Sequence, residues 1–239
     1  MRSELTGGTK GLAVLGAAGA VGFLLTLDAG HLGVRLVTKA LPMLCLLLWL
    51  WPPRERYARL IFAGLVLSLL GDVLLEMGPD LFLPGLGTFL LGHVSYTAAY
   101  LSVTRSLQPA RALPFLLLAV IASGVLWPGL GNMALPVTAY VAVICTMAWR
   151  SAAMLGGPDL PRREQWAALA GALMFAASDG LLAIKLFVRP LPGSSYAIML
   201  LYWVAQLCIA SSAREQHAAF ATGRAGDTVQ SQQSNTSQI

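Results

Sequence analysis

The sequence predicts an all-α protein: a polytopic transmembrane bundle of eight helices with both termini in the cytoplasm. Three observations predict it. Of the 239 residues, 56% are hydrophobic and only 11% charged, whereas ordinary soluble domains carry about 25% charged residues. The apolar runs recur at close to the roughly 20 residues a helix needs to cross a hydrocarbon core. The Lys and Arg residues collect at alternate ends of those runs, which is the pattern that orients a membrane protein. The same composition excludes a disordered chain and a disulfide-stapled secreted domain.

The first run, Gly11 to Leu27 after Lys10, resembles a signal-peptide core, but further spans follow it and it is read as a helix. The second, Leu32 to Trp51, is stopped by Pro52-Pro53-Arg54, and the third runs from Tyr57 to Met77. The fourth extends from Leu81 to Thr104. Residues 112–149 carry no charge, too long a stretch for one helix, and Trp127-Pro128-Gly129-Leu130-Gly131-Asn132 is expected to break it into the fifth and sixth. The seventh spans Gln165 to Val188 and the eighth Ser194 to Ala213. Residues 1–213 thus form the membrane domain. Residues 214–239 are polar and low in complexity, and are expected to be a disordered cytoplasmic tail.

Of the 16 Lys and Arg residues, 12 fall on one side if the N-terminus is inside. The other side has Arg35 and Arg189 near helix ends, with Lys39 and Lys185 inside helices. That partition puts both termini in the cytoplasm and, with the compact loops, suits a bacterial inner membrane. The net charge of +5 is spent on this orientation. No basic stripe with interleaved aromatics points to nucleic acid. Cys45, Cys145 and Cys208 all lie in apolar segments without metal spacing.

An ionisable residue inside a span costs about 2.5–3.5 kcal/mol on insertion scales, so each one is a candidate for function. These are Lys39, Asp72, Glu76, His93, Asp179 and Lys185, with Ser68, Tyr96, Tyr100, Ser178, Tyr202 and Gln206 as polar companions. Ser68, Asp72 and Glu76 share one face of the third helix, and His93, Tyr96 and Tyr100 share one face of the fourth. Tyr202 and Gln206 are one turn apart on the eighth. The alternating helix directions bring Asp72, His93 and Asp179 to similar depth, so two carboxylates and an imidazole can meet in one cavity. Competing structural readings exist: Glu76 and Lys185 could snorkel to the interface, Lys39 could neutralise an aspartate, and His93 could be an inert interhelical hydrogen bonder.

A catalytic zinc wants three protein ligands, usually several of them His, and only one His lies inside a span, so no metal and no cofactor is expected. No Gly-x-Ser-x-Gly elbow marks a serine hydrolase. Metal-free acid/base chemistry by Asp72, Asp179 and His93 remains.

Four blocks in order resemble the YhhN family of membrane lysoplasmalogenases: Gly71-Asp72-Val73-Leu74-Leu75; Phe89 with His93-Val94-Ser95-Tyr96; Ser178-Asp179-Gly180-Leu181-Leu182-Ala183; and Tyr202 with Gln206. The stretch around Thr38-Lys39 resembles the family's Thr-Lys-Pro block. The resemblance implies a lysophospholipid substrate, whose vinyl ether is hydrolysed to a fatty aldehyde and a glycerophospho-head group. It marks Asp72, His93, Tyr96, Ser178 and Asp179 as functional positions.

The residue chemistry fits independently. Vinyl ether hydrolysis starts with protonation of the β-carbon, which calls for a carboxylic acid that keeps its proton. A second carboxylate then stabilises the oxocarbenium ion and deprotonates water, as in paired-carboxylate glycoside hydrolysis. Asp72 and Asp179 are the candidates, with their roles interchangeable at this level. Tyr96, Ser178, Tyr202, Gln206 and Glu76 are candidate substrate contacts, and Lys39 or Lys185 could meet the phosphate. The alternative is a proton-coupled small-molecule transporter using the same Asp and His residues as a relay. The absence of evident repeats or paired broken helices speaks against it.

Overall fold

A computed structural model describes residues 7–27 and 31–213. The described residues form α1 (Gly7–Thr26), α2 (Leu32–Leu50), α3 (Arg56–Met77), α4 (Phe82–Val103), α5 (Pro109–Leu130), α6 (Ala134–Ala153) and α7 (Arg162–Phe187). A further helix, α8, spans Ser194–Ala213. No strand occurs among the described residues. The expected tail at 214–239 lies outside them.

These lengths follow from the solvent. At 1.5 Å rise per residue, a helix of about 20 residues spans the hydrocarbon core and satisfies its own backbone hydrogen bonds there. Among the described residues, six stretches are long and apolar enough to cross a membrane, with Pro109–Ala153 counting as one 45-residue stretch. That stretch contains α5, a single 3₁₀ turn at Gly131–Met133, and α6. The break falls within the expected stretch, residues 127–132. The α5 helix runs straight through Pro128, and the chain turns only at Gly131, whose φ of +47° is in the left-handed region that glycine tolerates.

Side-chain packing holds the bundle together, because apolar surface gains nothing by leaving lipid for protein. The α3–α4 pair meets at small residues. A Cβ on Gly64 would lie 2.2 Å from the Tyr96 ring and one on Gly71 would lie 2.5 Å from the Phe89 ring. Two glycines on α3 therefore make room for two aromatic rings on α4. The α8 helix runs through the middle. Its Ser212 bonds the Tyr57 hydroxyl of α3 at 2.8 Å, and its Trp203 packs edge-on against Phe23 of α1.

At the end of the bundle holding the α4/α5 and α6/α7 connections, arginines close the helix termini. Arg150 donates to the carbonyls of Thr104 and Ser106 at 2.6 and 2.8 Å. Arg111 donates to those of Ala152 and Leu155 at 2.9 and 2.8 Å. These carbonyls lie at or just beyond the ends of α4 and α6, where the helical ladder runs out, and the guanidinium groups give them a partner.

Candidate active site

A cavity of about 400 Å³ opens in one half of the bundle. Its lining comes from the second halves of α1, α3, α5 and α7 and the first halves of α2, α4, α6 and α8, with Leu118, Ile144 and Cys145 near the helix midpoints. Three carboxylates, Asp72, Glu76 and Asp179, reach its wall.

Asp72 belongs to an ionic ladder between α2 and α3. Lys39 Nζ lies 3.6 Å from Asp72 Oδ1 and 3.1 Å from Glu76 Oε2, and 3.5 Å from the Asp72 carbonyl. One turn away, Arg35 Nη2 lies 2.6 Å from Glu76 Oε1. The spacing of four residues on both helices makes this possible: Arg35 and Lys39 stack on α2 as Asp72 and Glu76 stack on α3. From α8, the Tyr202 hydroxyl donates to Asp72 Oδ2 at 2.6 Å. The side chains of Asp72 and Glu76 are only 5% and 7% exposed, so the two cations are what make these charges tolerable in an apolar surround.

Asp179 has different company. The Tyr140 hydroxyl of α6 donates to its Oδ2 at 2.5 Å, and His93 Nε2 lies 3.7 Å from the same oxygen. On the other side of the imidazole, Nδ1 lies 2.5 Å from the Phe89 carbonyl. A carbonyl can only accept, so Nδ1 carries a hydrogen and Nε2 is the nitrogen turned toward Asp179. That Nε2 is buried without a hydrogen-bond partner. The Phe175 ring packs edge-on against both His93 (4.5 Å) and Tyr202 (5.4 Å), fixing the two groups relative to each other.

Of the residues singled out in the sequence, Lys39, Asp72, Glu76, Ser178, Asp179, Lys185 and Tyr202 line the cavity. Ser178 also ties α7 to α8 by donating to the Ile198 carbonyl at 2.9 Å, and Lys185 donates to Ser195 Oγ at 2.7 Å. His93 stands behind the wall, in reach of Asp179. Tyr96 and Gln206 do not line the cavity. They are fully buried, and the Tyr96 hydroxyl donates to Gln206 Oε1 at 2.8 Å. Two lining residues escaped the sequence reading as site candidates: Tyr140 and Arg35. Neither Glu76 nor Lys185 snorkels freely, since each has a polar partner across the cavity wall. No group of three His, Cys, Asp or Glu that could hold a metal ion occurs among the described residues.

Comparison with known proteins places this arrangement. The model of the YhhN family matches residues 34–213, which include every cavity-lining residue except Phe23 and Leu27. Lysoplasmalogenase TMEM86B of Homo sapiens is 38% identical over 184 residues, covering 74% of each chain. Lysoplasmalogenase TMEM86A of Homo sapiens is 35% identical over 195 residues, 76% of this chain and 79% of the relative. A bacterial lysoplasmalogenase, from Mycobacterium tuberculosis, is 34% identical over 145 residues, 57% of this chain and 53% of its own. No solved structure matches. By the family match and by these identities, the chain belongs to the YhhN family.

Proposed function

We propose that this protein is a lysoplasmalogenase: a membrane hydrolase that cleaves the vinyl ether of a lysoplasmalogen to a fatty aldehyde and a glycerophospho-head group, with Asp179 and Asp72 as acid and base. One observation carries the reading. Of the three carboxylates on one intramembrane cavity, the two aspartates each take a tyrosine hydroxyl on Oδ2, but only Asp72 has a lysine beside it. Relatives that bear the name lysoplasmalogenase across two kingdoms of life support the substrate class.

The charge environment divides the labour. Asp72 is half of an ion pair and serves as the carboxylate. Asp179 faces a phenol and an imidazole, neither of which holds a fixed charge, and serves as the proton donor. Asp179 protonates the β-carbon of the vinyl ether and leaves an oxocarbenium ion next to the Asp72 carboxylate, which stabilises it. Water adds to the cation and gives its proton to Asp72. The resulting hemiacetal collapses: Asp72 returns that proton to the departing glycerol oxygen, and the hemiacetal hydroxyl proton goes to Asp179. One water is consumed and both carboxyl groups regain their starting states. His93 positions Asp179 through its Nε2, and Lys39 stands beside Asp72 as its counter-ion.

The test is aldehyde release by the purified full chain from choline and ethanolamine lysoplasmalogens, with the matching ester lysophospholipids as controls. Aldehyde from the vinyl ether lipids supports the reading. Proton-driven solute uptake by proteoliposomes, with no aldehyde released, would replace it with the transporter.

A further inference from the structure

The polarity of the cavity changes with depth. At the end nearest the α7/α8 connection lie Arg35, Glu76, Lys185 and Ser195. One turn deeper lie Lys39, Asp72 and Asp179. At the helix midpoints the lining is apolar, with Leu118, Ile144 and Cys145. A single-chain phospholipid has the same order of chemistry: phosphate, glycerol with its ether, then hydrocarbon. The spacing agrees too. Four residues along a helix rise about 6 Å, which separates Glu76 from Asp72 and Arg35 from Lys39. The bonds from phosphorus through glycerol to the ether oxygen span a similar distance.

The cavity wall also shows what Arg35 and Lys39 can hold. They grip the two oxygens of one carboxylate, Glu76, at 2.6 and 3.1 Å. A phosphodiester offers the same singly charged pair of oxygens. Arg35 keeps 32% of its side chain exposed, so it can turn from Glu76 to an incoming anion.

This rim has a definite side. The helix ends away from the cavity carry Arg56, Arg59, Arg105, Arg111, Arg150, Arg162 and Arg163. At the cavity end, Arg35, Lys39 and Lys185 are drawn into the lining, and only Arg189 is left for the loops. Basic loops stay on the cytoplasmic side. We infer that the cavity takes its lysophospholipid from the leaflet facing away from the cytoplasm, phosphate between Arg35 at the rim and the Lys39 ammonium on its inner side, and hydrocarbon chain down on the Leu118–Ile144–Cys145 floor. This pose rests on the lysophospholipid reading above, and it implies that the water-soluble head-group product leaves on the non-cytoplasmic side.

Cysteine labelling tests it without relying on turnover. Ser195→Cys places a thiol at the rim, and Ser106→Cys places one in the α4/α5 connection at the opposite end. The parent chain is the blank for the three native cysteines. A membrane-impermeant maleimide applied to intact bacterial cells should label Ser195→Cys, and should reach Ser106→Cys only after the cells are opened. The reverse pattern overturns the leaflet assignment. A 1-O-alkyl lysophosphatidylethanolamine, which lacks the vinyl group, should protect Ser195→Cys from labelling; labelling without protection overturns the pose. In Ser195→Cys protein that also carries Arg35→Ala, half-protection should need about tenfold more of that lipid, but no more of a 1-O-alkylglycerol, which has no phosphate. Equal losses for both lipids would remove Arg35 from phosphate binding. Should the parent chain release no aldehyde while the labelling pattern holds, the hydrolase reading fails and the pose stands.

Discussion

Asp72 and Asp179 line the same cavity from different helices, α3 and α7, and they differ in almost everything except chemistry. Asp72 is 5% exposed and lies beside a lysine that also grips Glu76. Asp179 is 19% exposed, with a phenol and the unpartnered nitrogen of an imidazole against one of its oxygens. A carboxyl group next to a fixed cation favours its charged form, whereas one facing neutral polar groups in an apolar wall has no such support. Under the proposed mechanism, identical side chains would acquire different duties from their neighbours, and the pair would be defined by Lys39 and Tyr140 as much as by the carboxyl groups themselves.

The largest expected effects come from removing either carboxylate. Asp179→Asn and Asp72→Asn should each lower turnover about 10²-fold or more. Folding should survive in both, because a neutral amide is cheaper to bury than a carboxylate and Lys39 keeps Glu76 as its partner when Asp72 is gone. Turnover and melting temperature measured on the same purified variants decide the matter. Active Asn variants would remove these residues from the mechanism, and unfolded ones would make them structural.

The cation separates the two sites next. Lys39→Met deletes the group shared by Asp72 and Glu76 and should cost about 3–5 kcal/mol of stability, the usual consequence of leaving a buried charge unpaired. His93→Gln removes the imidazole from Asp179, where no fixed charge is stranded, and should cost clearly less stability while still slowing turnover. Thermal melts of the pair give the comparison. Equal losses would mean that Asp179 too depends on a charged partner.

The tyrosines come third. Tyr140→Phe and Tyr202→Phe each remove one hydroxyl that donates to an aspartate oxygen, a hydrogen bond worth about 0.5–1.5 kcal/mol to a neutral carboxyl and about 1.5–3 kcal/mol to a charged one. Each should reduce turnover about tenfold. The pH profile should tell them apart: losing a donor makes the carboxylate form harder to sustain, so Tyr202→Phe should shift the rising limb of the rate toward higher pH. A shift of the same limb in Tyr140→Phe instead would exchange the roles of the two aspartates.

How much of this was legible in the sequence depended on what helical spacing can say. Spacing by four put Asp72 with Glu76, and the structure keeps both on the cavity. Spacing also put Tyr202 with Gln206 and His93 with Tyr96, but only one member of each pair serves a cavity carboxylate. Tyr96 and Gln206 bond each other in a dry contact instead. Periodicity identifies neighbours on one helix and is silent on which second helix they face. Tyr140 was invisible for a related reason: it stands in an uncharged stretch, and its meaning comes from Asp179, 39 residues away. Arg35 was counted toward topology because it lies near a helix end, and only the partner on α3 turns it inward. The α5–α6 break falls inside the expected 127–132 stretch, at Gly131 and not at Pro128, because a proline within a long helix can be absorbed, whereas a positive φ at Gly131 cannot continue one.

The smallest expected effect sharpens the comparison most finely. Glu76 is one turn from Asp72, on the same face of α3, and shares Lys39 with it. By charge alone the two would look equivalent. Glu76→Gln removes the negative charge but leaves an amide that can still accept from Arg35 or Lys39. The arginine, 32% exposed, can rehydrate, and Lys39 retains Asp72, so no cation is stranded in the interior. The stability loss should be about 1 kcal/mol, in the range of partly exposed ion pairs, and turnover at saturating substrate should stay within about threefold of the parent, since the reacting bond lies a turn deeper. Measured beside Asp72→Asn, this variant separates the rim from the chemistry. If Glu76→Gln abolished turnover while Asp72→Asn did not, the carboxylate acting from α3 would be Glu76, and the reacting bond would lie at the level of Arg35 rather than that of Lys39.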